Sequence, residues 1–185
     1  MSNLEELCLY FKCSCKKLFV DGNDLKANII NHLPRLKTFK FNICSLIDHY
    51  NPIDLLTNED IQNIFNRFSN NQIISFVDYF PDKNEGQYHI YSYSFTLTSY
   101  ECITNNFPGR LYTYVRKVLL FDEHPFEHKC FLRIQKSFLS IEDLTVTNQK
   151  PQYEKLNNGN RDLSLIHYHH LTCLDPIEVH DDCIE

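Results

Sequence analysis

Between residues 33 and 46 the chain reads LPRLKTFKFNICSL, and among its apolar residues are Leu33, Leu36, Phe39, Phe41, Cys44 and Leu46. An α-helix repeats its apolar positions about every 3.6 residues and a strand every 2. The steps between these positions are 3, 3, 2, 3 and 2, a mixture that neither element produces alone. A short strand entered and left by tight bends does produce them: the three-residue steps are the bends and the two-residue step is the strand's own alternation.

The core of this spacing recurs. Leu4-x-x-Leu7-x-Leu9 precedes it, and Val115-x-x-Val118-x-Leu120, Ile141-x-x-Leu144-x-Val146 and Leu171-x-x-Leu174 follow. Several copies share an apolar residue three places upstream, at Leu33, Phe138 and Tyr168. Helix-period segments lie between them. Ile61, Ile64, Phe65 and Phe68 fall at i, i+3, i+4 and i+7, with Thr57 as the expected N-cap. Phe131, Ile134 and Phe138 keep the same spacing, and Leu25 and Ile29 mark a third helix between Asp24 and His32. The expected fold class is therefore α/β: a solenoid with one parallel sheet, its helices on the convex side, spanning residues 1–185 as a single domain. Cys44, and Cys13 in the first copy, are expected in the turn after each strand.

One stretch breaks the pattern. IISFVDYF and YHIYSYSF are β-branched and aromatic runs joined by PDKNEGQ, a connection too short for a parallel crossover. A hairpin insertion is expected near residues 73–95, with Ile90–Tyr93 taking a place in the parallel sheet because they lie one repeat length before Val118.

Composition narrows the function. Apolar residues make up 43% of the chain and charged residues 23%, a globular balance. Four glycines are few for a fold built on phosphate-cradling loops, and neither a GxGxxG nor a P-loop is present. A net charge of -6 argues against generic binding to a nucleic-acid backbone. No basic, apolar leader opens the sequence and no apolar run reaches the ~18 residues of a membrane span. Eight cysteines are then read as reduced, mostly buried thiols, which places the chain in the cytoplasm or nucleus.

Catalytic and metal chemistry find little support. His167, His169, His170 and Cys173 lie close in sequence, but no paired C-x-x-C or H-x-x-x-H completes a tetrahedral metal set. They read as loop histidines before a strand. Adjacent acids such as Glu5–Glu6 and Asp181–Asp182 diverge in extended backbone, and no nucleophile elbow is present. The chain is expected to be neither an enzyme nor the holder of a cofactor or metal.

What the repeats present is a sheet face. Residues between the core positions point to its concave side, giving Tyr10, Lys40, Asn42, Arg116, Leu119, Phe121 and Thr145 as the expected contacts for a protein partner. Leu119 and Phe121 are the most informative, because large apolar groups on such a face mark contact sites.

The units LPRLKTFKF, FPGRLYTYVRKVLLFD, FLSIEDLTV and HHLTCL resemble the divergent, phenylalanine-rich leucine-rich-repeat regions of F-box-type animal proteins, ribonuclease-inhibitor-like in fold. The resemblance covers nearly the whole chain, but no F-box segment precedes the first copy in this sequence. It implies a protein-interaction module, and more specifically the substrate-binding region of a ubiquitin-ligase receptor. The alternative is a truncated duplicate with a structural role or none. Neither end carries a recognisable cap, so self-association through uncapped ends is expected.

Overall fold

Leu7, Leu9 and Phe11 alternate with Cys8, Tyr10 and Lys12, and this two-residue period lays down strand β1 (Glu6–Cys15) with one face half-buried and the other exposed. The computed structural model describes residues 3–15, 20, 22–48, 56–66, 72–93, 96–148, 150 and 166–177, and divides the chain into two compact units, residues 1–95 and 96–185.

In the first unit β1 leads through helix α1 (Gly22–Asn28) and a 3-10 turn (Ile30–His32) to strand β2 (Thr38–Asp48). Helix α2 (Asn58–Asn66) follows, then strands β3 (Ile73–Phe80) and β4 (Glu85–Ser92). The sheet order is β1-β2-β4-β3. β1 runs parallel to β2 with Leu7 opposite Phe39 and Leu9 opposite Phe41, whereas β4 runs antiparallel to both β2 and β3. The turn between β3 and β4 holds Asn84 at φ +51°, a conformation asparagine tolerates better than most residues, and its Oδ1 accepts the Tyr79 hydroxyl at 2.9 Å.

One face of this sheet carries the core. Phe41, Ile43 and Ile90 are fully buried with Ile61 and Phe65 of α2, and Leu25 of α1 joins them. The Phe41 and Phe65 rings lie 5.7 Å apart, so truncating either would cost about 3–5 kcal/mol. Thr57 caps α2 as expected: its hydroxyl accepts the Asp60 amide at 3.2 Å, and the Asp60 carboxylate accepts the Thr57 amide at 3.0 Å. Phe68 lies outside the described residues. The opposite face is buried as well across β2, β4 and β3, through Asn42, Cys44, Ile74, Phe76, Phe80, His89 and Tyr91. Burial on both faces explains why β3 reads as an almost continuous apolar run rather than an alternation.

The second unit is a parallel sheet in chain order: β5 (Ser99–Ile103), β6 (Lys117–Phe121), β7 (Asp143–Thr147) and β8 (Cys173–Ile177), with helix α3 (His128–Ser137) between β6 and β7. Val118, Leu144 and Leu174 form one lateral column, and Leu120, Val146 and Pro176 the next. No helix joins β5 to β6. Phe107, Tyr112 and Val115 of that connection are buried instead, and the rings of Tyr112 and Phe107 stack on Phe138 at 5.0 and 5.4 Å. An aromatic loop fills the volume a helix would otherwise occupy.

This architecture overturns the solenoid. The repeat cores pair in the expected register, but they do so in two sheets, a mixed one and a parallel one, with three α-helices among the described residues rather than one per repeat. Ile90 and Tyr91 are not part of a parallel sheet; they return antiparallel along β2, opposite Ile43 and Asn42. Nor is Cys44 a turn residue. β2 continues four residues past it to Asp48, and Cys44 sits buried in mid-strand opposite His89. Cys13 is likewise within β1, its thiol 3.6 Å from the Ser45 hydroxyl.

Candidate partner-binding face of the second sheet

The same hydrogen-bond pattern opens every parallel pair but one residue earlier than the strand itself. The Glu5 carbonyl accepts the amides of Lys37 and Thr38, that of Thr98 accepts Arg116 and Lys117, that of Arg116 accepts Glu142 and Asp143, and that of Glu142 accepts Thr172 and Cys173. Each shared carbonyl fixes the register of the next strand, so equivalent side chains stand side by side. Cross-strand ion pairs repeat there too, between Lys37 and Glu5 at 2.9 Å and between Arg116 and Glu142. All four side chains are more than two-fifths exposed, so each pair contributes at most about 1 kcal/mol.

The seven residues expected on one concave stripe are divided between the two sheets. Tyr10, Lys40 and Asn42 belong to β1 and β2; Arg116 precedes β6; Leu119 and Phe121 are in β6, and Thr145 is in β7. Tyr10 is exposed and Lys40 pairs with Glu6 at 3.7 Å. Asn42 is only 1% exposed, because its side of β2 is covered and its Oδ1 lies 2.6 Å from His89 Nε2. It is a core residue and offers nothing to a partner.

The second sheet does bring expected residues together. Leu119, Thr145 and Asp175 form one column across β6, β7 and β8, and Phe121, Thr147 and Ile177 the next. Leu119, Phe121 and Thr145 are half-buried, and exposure rises toward the edge. All five residues of β8 are exposed, Leu174 at 56% and Ile177 at 43%. Among the described residues no strand pairs with the outer side of β8. At this edge, where the sequence showed no recognisable cap, Leu174 continues a core column yet stands in water.

At the carboxyl ends of the strands the sheet is closed by a polar ladder. Asn105, Asp122 and Asn148 each lie two places beyond the columnar residues Ile103, Leu120 and Val146. Asp122 is buried, and its two carboxylate oxygens accept the Asn105 amide and side chain at 2.8 and 3.1 Å and the His124 amide at 2.8 Å. Asn148 Nδ2 donates to the carbonyls of Asp122 and His124 at 2.9 and 2.6 Å. His124 Nδ1 stands 3.3 Å from Asp122 Oδ1, but the carboxylate is already engaged by backbone and amide donors. This is the chemistry of a turn held shut.

A cavity of about 220 Å³ opens beside the C-terminal end of α3. Phe138, Leu139 and Ile141 line its apolar part, and Gln135, Lys136, His167, Tyr168 and His169 the rest. Gln135 Nε2 donates to the His167 carbonyl at 2.8 Å and the Tyr168 hydroxyl to the Phe131 carbonyl at 3.1 Å, which ties the histidine segment to the helix. Burial pushes the Tyr168 phenol well above its ordinary range, so it stays a neutral donor. The His167 and His169 rings are near-parallel with centroids 6.3 Å apart. Among the described residues no three His, Cys, Asp or Glu side chains gather as metal ligands, and no helix is long and apolar enough to cross a membrane.

No protein-family model, no curated protein and no solved structure matches the chain.

Proposed function

We propose that the chain is a protein-interaction module that receives an extended segment of a partner protein along β8. The observation that carries this reading is the edge itself: a strand exposed over its whole length, with Leu174 on one face and Ile177 on the other. Such an edge offers unpaired backbone groups to an incoming strand and apolar side chains to its alternate residues, the two components of recognition by strand addition. Leu119, Phe121 and Thr145 supply the adjoining face on one side. Pro176 removes one backbone donor from the edge and so limits how long a strand it can accept. The more specific form of this reading, a ubiquitin-ligase substrate receptor, adds the requirement that the bound partner be ubiquitylated.

The test is site-specific photo-crosslinking in cells from positions 174 and 177, with position 28 on α1 as control, followed by mapping of the linked peptide. An extended partner peptide linked from both edge positions, and lost on Leu174→Lys without a change in melting temperature, is the expected result. Equal crosslinking from position 28 would overturn the docking assignment. Accumulation of the linked partner when this chain is depleted tests the receptor role separately.

A further inference from the structure

The cavity beside α3 has a charge character opposite to that of the chain. Among the described residues Lys136, His167 and His169 line it and no carboxylate does, in a protein whose net charge is -6. Gln135 donates to the His167 carbonyl and Tyr168 to that of Phe131, which holds the backbone carrying the two imidazoles, while the Lys136, His167 and His169 side chains themselves are exposed. Two imidazoles without a third ligand do not make a closed metal site. An ammonium and two imidazole N–H donors do suit an anion, and three donors match the three terminal oxygens of a phosphate monoester better than the two oxygens of a carboxylate. The apolar wall of Phe138, Leu139 and Ile141 suits a short aliphatic link to that anion.

We infer that this cavity is a subsite for a phosphate monoester carried on a serine or threonine side chain of the partner protein. Lys136 and the two histidines contact the phosphate oxygens, and the side-chain methylene lies against Ile141 and Leu139. The source of the phosphate rests on the protein-binding reading above; the recognition chemistry does not, and is measured without β8 or any partner.

The experiment follows the His167 and His169 ring resonances of the full chain by NMR at pH 6.5. The probes are N-acetyl-O-phosphoserine methylamide, its unphosphorylated counterpart and inorganic phosphate. Saturable shifts of both histidines with the phosphoserine probe are expected. Affinity should fall about tenfold in Lys136→Gln and further in His167→Gln/His169→Gln, the scale of a lost charge-assisted contact. His32→Gln, an exposed histidine of the first unit, should leave it unchanged. Equal shifts with the unphosphorylated probe, or affinity unchanged in the double variant, would overturn the subsite. Inorganic phosphate binding as tightly as the phosphoserine probe would overturn its assignment to a protein side chain. Failure of the edge crosslinking with the phosphoserine response intact would remove the protein-binding reading and leave the anion site standing.

Discussion

Asn42 and His89 meet side chain to side chain across the β2–β4 seam, Oδ1 to Nε2 at 2.6 Å, with both residues almost wholly excluded from water. The His89 ring also lies 4.8 Å from that of Phe76 and 5.4 Å from that of Tyr91. A polar contact inside an aromatic cluster is held by geometry on every side. Removing one member leaves the other buried without its partner atom, which costs more than the bond contributes. Asn42→Ala should lower unfolding stability by about 1–3 kcal/mol. It should leave crosslinking from position 174 unchanged, since Asn42 faces no surface. Urea denaturation with an unshifted midpoint would show that the contact carries nothing.

The cap of α2 makes a prediction with a sign. Hydrogen bonds from the Thr57 side chain and then its backbone hold the Asp60 carboxyl below its ordinary value of 3.8. A carboxyl with a depressed folded pKa adds stability that is present above its unfolded value and lost as pH falls through the folded one. Thr57→Ala should therefore lower stability near neutral pH, as loss of an N-cap does. The difference between the two proteins should shrink below about pH 4, where Asp60 begins to protonate in the unfolded chain. Thermal unfolding from pH 3 to 7 reads this directly. A difference that grows toward low pH would contradict the capping geometry.

Thiol reactivity should sort by position in the fold. Cys8 and Cys173 are exposed, while Cys44, Cys102 and Cys130 are buried. Burial also pushes the Cys130 thiol up to about 11, despite the favourable charge of Arg133, so little thiolate forms at pH 7.5. Brief alkylation of the native protein, mapped by peptide mass, should label Cys8 and Cys173 first and leave Cys44 and Cys130 to react only on unfolding. Early labelling of Cys44 would place β2 differently.

The register of the parallel pairs was legible in the sequence because it is local. Each copy of the spacing enters its strand through a carbonyl that bonds two successive amides of the next strand, so equal template positions necessarily face each other: Leu7 and Phe39, Val118 and Leu144. The direction of β4 was not legible. An alternation of apolar residues reads the same along either strand direction, and Tyr88 and Ile90 satisfy the core whether they run with β2 or against it. The length of β2 was hidden for a related reason, since Cys44 is small enough for a turn and apolar enough for a buried strand. The aromatic plug of Phe107 and Tyr112 carries no period at all, and only the packed core shows that it replaces a helix. As for the candidate face, Leu119, Phe121 and Thr145 were readable from alternation. The β8 edge was legible only as an end without a cap, because the exposure of each of its residues depends on what lies beside a strand rather than on what is in it.

The connection between β5 and β6 depends on one backbone conformation. Gly109 has φ +72°, in the left-handed region that other L-residues occupy at a cost of about 1–2 kcal/mol. A Cβ there would also stand 2.9 Å from Arg133 Cγ and 3.2 Å from its Cδ. Arg133 is not idle: its Nη1 donates to the carbonyls of Asn105 and Phe107 at 3.0 and 2.6 Å, tying the aromatic loop to α3. Gly109→Ala should therefore destabilise the second unit twice over, by backbone strain and by displacing the arginine that holds the loop. The two effects separate in a double-mutant cycle with Arg133→Ala. Without the arginine side chain the clash disappears and only the strain of about 1–2 kcal/mol remains, so the double variant should be less destabilised than the sum of the singles. The measurement is chemical denaturation of the four proteins, followed by a tyrosine or phenylalanine signal from the loop. Strict additivity would mean that Arg133 moves aside freely and that the loop is held by its buried rings alone.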